Sequence, residues 1–212
     1  MLQASVTFRH FAKKYDKIIF ENVNLKIEYG SLNYILSANG MGKTTLFKCL
    51  LGLESYGGVI EKTYNNIFCI YDDMPFYKDL SGLNNIKMIA LMYDVKKYDI
   101  QNDFLNNDIL KRKVKDYSYG EKKKLALMLV DIISPDILIL DEATNGLDYA
   151  TIKLVSKCIN RWKKDTLLIA SGHQLDYYSK IADNIFLIKD RDIIKYQGEL
   201  KSLEDIYENI YE

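Results

Sequence analysis

The sequence predicts an α/β fold built on a mostly parallel sheet, and three observations carry that expectation. Short apolar runs (Leu32–Leu36, Asn66–Ile70, Ile137–Leu140 and Thr166–Ala170) alternate with segments of helical character. The first of these runs opens into a glycine-containing loop that leads into a helix, the order strand, loop, helix. The third closes on two adjacent carboxylates, Asp141 and Glu142, at the strand edge where open α/β sheets bind ligands.

Taken in order, Ala4–Phe8 and Val23–Ile27 read as strands, and Leu32–Leu36 as the strand before the loop. Thr45–Leu51 is helical and stops at Gly52. Gly57-Gly58 reads as a turn and Asn66–Ile70 as a buried strand. From Leu80 to about Lys115 the text is helical and polar, with one apolar stripe of Leu83, Ile86, Ile89, Ala90 and Tyr93. A further helix, Lys122–Ile133, begins near Gly120 and stops at Ser134-Pro135. Ile137–Leu140 is too short and too apolar to be anything but a buried strand. Ala150–Trp162 is helical, Thr166–Ala170 is a strand, Ile185–Ile188 with Ile193–Tyr196 forms a hairpin, and Leu203–Tyr211 is a last helix. The block from about 75 to 133 reads as a helical lobe inserted into a core made of 1–74 and 134–212.

Composition narrows the function. With 212 residues the chain can bury a sizeable core. Lys plus Arg and Asp plus Glu both number 29, so the net charge is zero and no basic surface advertises nucleic acid. The three scattered cysteines, Cys49, Cys69 and Cys158, form no CxxC pair and suit a reducing compartment. No apolar run is long enough to span a bilayer and no signal-peptide core opens the chain, so a soluble protein is expected, one that can still sit on a membrane partner.

Ser37-Ala38-Asn39-Gly40-Met41-Gly42-Lys43-Thr44-Thr45 reads as a phosphate-binding P-loop. Backbone amides from Asn39 through Gly40, Met41, Gly42 and Thr44 to Thr45 would cradle the phosphates of ATP or GTP. Lys43 would meet the β- and γ-phosphates, and the Thr44 hydroxyl would hold Mg²⁺. Ser37 stands where the pattern begins with glycine, and serine disfavours positive φ, so an altered turn is expected there. Downstream, Asp141 would hold the Mg²⁺ that bridges the phosphates, and Glu142 would deprotonate the attacking water. His173 lies 31 residues after Glu142, just past the next strand. Parallel neighbours would set the two side by side, with His173 placed to organise the γ-phosphate and water.

This set of motifs resembles the ATPase subunit of ABC (ATP-binding-cassette) proteins over roughly residues 3 to 200. Tyr117-Ser118-Tyr119-Gly120-Glu121 is similar to the family's LSGGQ signature, with Ser118 and Gly120 matching and Ser118 placed 24 residues before Glu142. Ala143-Thr144-Asn145-Gly146-Leu147-Asp148 resembles the D-loop, and Tyr15 the aromatic residue that stacks on adenine. The resemblance implies a P-loop NTPase fold with an N-terminal antiparallel β subdomain and an inserted helical lobe. It implies ATP and Mg²⁺ as ligands, and two subunits closing head to tail so that Ser118 and Gly120 of one cap the ATP of the other. It implies an integral-membrane permease as partner and residence on the cytoplasmic face of the membrane.

Two departures matter. Tyr119 replaces the first signature glycine, which implies either weaker capping or a side chain that points away. Asp72 stands where the family's Q-loop glutamine contacts the metal, so Asp72 is expected near Mg²⁺. The neighbouring Phe76 and Tyr77 either contact the permease or pack within the helical lobe. The Asp-Asp-Met-Pro-Phe-Tyr and Thr-Asn-Gly-Leu-Asp segments look most like exporters of antimicrobial peptides, drugs or lipids. The alternative is a soluble ABC ATPase acting in assembly or regulation. Homodimer and heterodimer both remain open, and the chain ends too soon after His173 for a large regulatory domain to be expected.

Overall fold

A computed structural model describes residues 5–64, 66–100, 103–198 and 202–212. A six-stranded sheet organises the molecule: β5 (Ile67–Ile70), β6 (Ile137–Asp141), β7 (Leu167–Ser171), β3 (Leu32–Leu36), β8 (Asn184–Lys189) and β9 (Asp192–Lys195), in that spatial order. The first five strands are parallel and β9 is antiparallel to β8. A separate antiparallel sheet holds β2 (Ile18–Glu28), β1 (Ser5–Lys14) and β4 (Gly57–Lys62). The helices are α1 (Lys43–Leu50), α2 (Gly82–Met92), α3 (Asn107–Lys111), α4 (Tyr119–Ile133), α5 (Tyr149–Trp162), α6 (Leu175–Ser179) and α7 (Leu203–Tyr211).

The continuous apolar runs are explained by burial on both faces of the sheet. Successive side chains of a strand alternate between faces, and the buried residues divide accordingly. Leu138, Leu140, Leu168, Ala170, Ile185 and Leu187 pack with α4, α5, α6 and α7. Ile137, Ile139, Leu167, Ile169, Phe186 and Ile188 pack with α1 and the antiparallel sheet. The two helices that flank β6 are each started by a side-chain cap. At α4, Ser118 Oγ accepts from the Glu121 N–H at 3.1 Å while Glu121 Oε2 accepts from the Ser118 N–H at 2.7 Å, a reciprocal capping box. At α5, Asp148 Oδ1 accepts from the Thr151 N–H and hydroxyl at 2.8 and 2.9 Å. Ser134, with φ of 47°, ends α4 just before Pro135.

Some expectations need correction. β1 and β2 run well beyond the segments expected; Ala4 lies outside the described residues. Residues Leu80–Lys115 are not one helix: α2, α3 and a short 3₁₀ turn at Val114–Asp116 share the segment, and residues 101 and 102 lie outside the described residues. Polar and charged residues of the segment offered no second apolar stripe, which fits a broken path. Gly57-Gly58 is not a turn but the start of β4. The pairing of β1 with β4 slips between Arg9 and Ala12, where His10 has φ of 50° and Gly58 φ of 77°. This is a β-bulge, and glycine is the residue type that supplies positive φ there. A Cβ on Gly58 would lie 2.2 Å from the His10 carbonyl oxygen. Gly58→Ala is therefore expected to destabilise the protein by at least about 1–2 kcal/mol, from the left-handed backbone alone, measured by urea denaturation.

Candidate nucleotide-binding and catalytic site

The carboxyl ends of β3, β6 and β7 lie side by side because these strands are parallel neighbours. The loop after β3 carries Gly40 with φ of 78° and Gly42 with φ of 107°. A Cβ on Gly42 would come within 2.6 Å of Ile19 Cγ2 and 3.0 Å of the Phe20 ring, so the loop is seated tightly on β2. Ser37 is not among the residues in left-handed backbone. Its replacement of glycine therefore carries no φ strain. Instead its hydroxyl and carbonyl oxygens each accept from the Lys43 ammonium at 3.0 Å. Burial lowers the Lys43 pKa, opposed by the charges of Asp141 and Glu142. Asn39, Gly40 and Thr44 are exposed at the loop surface, while Met41, Gly42, Lys43 and Thr45 are half-buried.

Asp141 and Ser171 are register partners in the β6–β7 pair. Ser171 Oγ donates to Asp141 Oδ1 at 2.6 Å. Burial raises the Asp141 pKa; the Ser171 hydrogen bond opposes this and the Glu142 charge adds to it. Glu142 has φ of 54°, a strained backbone for a residue with a Cβ, and its N–H donates to the Ser171 carbonyl at 3.1 Å. Its two carboxylate oxygens are both engaged. Oε1 lies 3.2 Å from His173 Nε2, and Oε2 accepts from Asn145 Nδ2 at 2.8 Å. The His173 turn rests on two stacked phenols: the Tyr34 hydroxyl donates to the Gly172 carbonyl at 2.5 Å, and the Tyr34 and Tyr178 rings stack at 4.6 Å.

Ser118, Tyr119 and Gly120 border one surface hollow with Gly146, Leu147 and Asp148. The Tyr119 ring lies against the Gly146 α-carbon, where an added Cβ would sit 2.4 Å from it. Its hydroxyl donates to Asp72, which also lies 3.3 Å from the Lys123 ammonium. Asp72 thus meets donors of the protein itself, partners that the sequence did not suggest for it. Tyr15 is exposed in the turn between β1 and β2, with the Lys13 ammonium 4.3 Å from its ring centre. An apolar groove beside Asp72 is lined by Phe68, Tyr71, Met74, Phe76, Tyr77 and Met92 among others. Phe76 is buried in the core and Tyr77 is exposed, so of the two only Tyr77 presents its ring to an incoming surface.

Three contributors were missed. Asn145 and Ser171 bond to the two acidic residues from positions that carry no signature of their own. Lys123 was hidden in the run Lys122-Lys123-Lys124, which reads as a solvated face. Helical spacing carried a signal: Lys123 shares a face with the apolar Ala126 and Leu127, three and four residues on.

The chain matches the ABC transporter family model over residues 20–145, and it belongs to that family. It is 34% identical to the lantibiotic transport ATP-binding protein SrtF of Streptococcus pyogenes, covering 95% of both chains. It is 27% identical to the bacitracin transport ATP-binding protein BcrA of Enterococcus faecalis, covering 92% of this chain and 70% of that one. A solved structure described as an ATP binding subunit of an ABC transporter superposes with a TM-score of 0.81 at 20% identity, covering 96% of this chain and 92% of that one. The fold is that of an ABC ATPase, with a mainly parallel core and an antiparallel sheet, and the chain is an ATP-binding ABC ATPase subunit. Among the described residues no helix is long and apolar enough to cross a membrane.

The Asp148 carboxyl is pulled down to about 2 by hydrogen bonds from the Thr151 backbone and hydroxyl and by Lys124. A lowered folded pKa gives stability that is present above the usual aspartate range and lost as pH falls through the folded value. Carbon-detected NMR titration is expected to place Asp148 near 2, and Thr151→Ala to move it back up towards the ordinary range.

Proposed function

We propose that this chain hydrolyses ATP with Mg²⁺ and drives a membrane-spanning partner that exports an antimicrobial peptide, drug or lipid. The observation that carries the catalytic part is the Glu142 carboxylate, held between His173 and Asn145 at the sheet edge where Lys43 and Asp141 also stand. The names of SrtF and BcrA support transport of antimicrobial compounds. Residence at the cytoplasmic face of the membrane follows from a permease partner.

The donors present fit Mg²⁺. Thr44 and Asp141 offer hard oxygens, the ligand type that ion prefers. Among the described residues no group of three or more His, Cys, Asp or Glu side chains is arranged to hold a metal ion, so most ligands would come from phosphate and water. Bound Mg²⁺ would neutralise charge on the β- and γ-phosphates.

The chain's own groups then divide the work. The amides from Asn39 to Thr45 receive phosphate oxygens, and Tyr15 offers adenine the ring face not covered by Lys13. Lys43 exchanges its two Ser37 acceptors for phosphate oxygens at little desolvation cost, being already half-buried. Glu142 takes a proton from the attacking water as its oxygen breaks contact with His173 or Asn145, and His173 orients that water against the γ-phosphate. On this reading residues 1–74 and 134–212 form the nucleotide-binding core. The segment 75–133 carries Ser118 and Gly120 across to a second ATPase subunit, identical or different. The Tyr119 ring lies against Gly146, and on this reading the N–H groups of Tyr119 and Gly120 would donate to that subunit's nucleotide. Tyr77 and the groove around it receive the permease.

Glu142→Gln is expected to retain ATP binding, lose hydrolysis by roughly a hundredfold or more, and shift from monomer to dimer with Mg·ATP, read by light scattering after size exclusion. Turnover at the parent rate would sink the general-base assignment.

A further inference from the structure

Lys123 is 1% exposed, in the second turn of α4, which is an unusual place for an ammonium group. It has three N–H donors and three acceptors meet them. Its Nζ donates to the Tyr71 carbonyl at 2.9 Å and to the Glu142 carbonyl at 3.0 Å, and lies 3.3 Å from Asp72 Oδ1. The same carboxylate accepts from the Tyr119 hydroxyl, one turn earlier on α4, whose ring packs against Gly146. Two side chains of one helix therefore join the loop after β5 to the loop after β6. Burial lowers the Lys123 pKa, and the Asp72, Glu142 and Asp141 carboxylates oppose that.

The contact at the Glu142 carbonyl matters most. Glu142 is in left-handed backbone, so the direction its side chain takes depends on holding its own peptide groups in place. Its N–H is fixed by Ser171, and its C=O accepts both from Lys123 and from the Asn145 N–H at 3.2 Å. Asn145 in turn holds the carboxylate. Without the ammonium the peptide between Glu142 and Ala143 loses a charge-assisted hydrogen bond, and Asp72 loses its counter-ion.

We propose that Lys123, braced by Tyr119, is a positioning residue for Glu142, and that Asp72 serves as the counter-ion of that buried lysine rather than as a metal ligand. This rests on the general-base role proposed above for Glu142. Among the described residues no hydrogen bond or ion pair joins Lys123 to the loop after β3, so it acts on the chemical step and not on ATP capture.

The test is Lys123→Met, which keeps most of the length and volume of the side chain and removes its charge and donors. In the full-length protein, kcat is expected to fall by about tenfold to a hundredfold while the ATP dissociation constant moves by less than about twofold. Asp72→Asn should share the effect on kcat, and the double variant should be no slower than Lys123→Met alone, because the two act as one unit. Unchanged kcat in Lys123→Met, parallel loss of ATP affinity, or additive losses in the double variant would overturn the proposal. A second measurement is independent of turnover. Hydrogen exchange in Lys123→Met should quicken in both 71–76 and 142–147, and protection unchanged in 142–147 would also overturn it. A wild-type chain without turnover that Glu142→Gln removes would instead overturn the reading of Glu142, and exchange would then decide whether Lys123 holds its backbone.

Discussion

The site depends on the parallel pairing of β6 with β7. That register sets Asp141 beside Ser171, and the turns that follow bring Glu142, one residue on, within 3.2 Å of His173, two residues on. The pairing is held from both faces by apolar side chains, so a slip of one residue would exchange the Leu138 and Leu140 face for the Ile137 and Ile139 face and break both cores at once. The carboxylates therefore stand on the best-specified part of the sheet. Their mutual distance from Lys43 follows from β3, which pairs with β7 on its other side.

Around that rigid edge the protein spends its polar groups on loops. Ser37 accepts from Lys43, Ser171 donates to Asp141, Asn145 and His173 flank Glu142, and Gln174 reaches the Thr144 carbonyl at 3.3 Å. The Ser37 and Asn145 contacts tie a loop to itself, while those of Ser171, His173 and Gln174 tie β6 and the loop after it to β7 and the loop after it. Strain at Glu142 is tolerated because its amide, carbonyl and carboxylate are each held by a different element.

Tyr119 shows how a departure from a family pattern can be accommodated. A glycine at that position would leave room beside Gly146; the tyrosine fills it with its ring and sends its hydroxyl to Asp72. Two departures, Tyr119 and Asp72, thus meet each other, with Lys123 as the third member. Seen separately in the sequence they read as two independent blemishes.

The strand runs, the glycine loop, the acidic strand edge and the family are all legible in the amino-acid order. These are local: they rest on periodicity, turn chemistry and fixed spacing along the chain. The pairing of Glu142 with His173 was also legible, because parallel neighbours carry a spacing into a contact. What only the tertiary structure decided were the partners of side chains from distant segments. Gly57-Gly58 looked like a turn because glycine is frequent there, and only the slip against His10 makes it a bulge. Nothing in the lysine run at 122–124 names the partners of its middle member, which the loops after β5 and β6 bury. Asp72 was read from its place in a loop, whereas its partners come from a helix that begins 47 residues later in the chain. Such pairings depend on where the packed cores bring backbones together, and nothing in the local spacing of the chain encodes that distance.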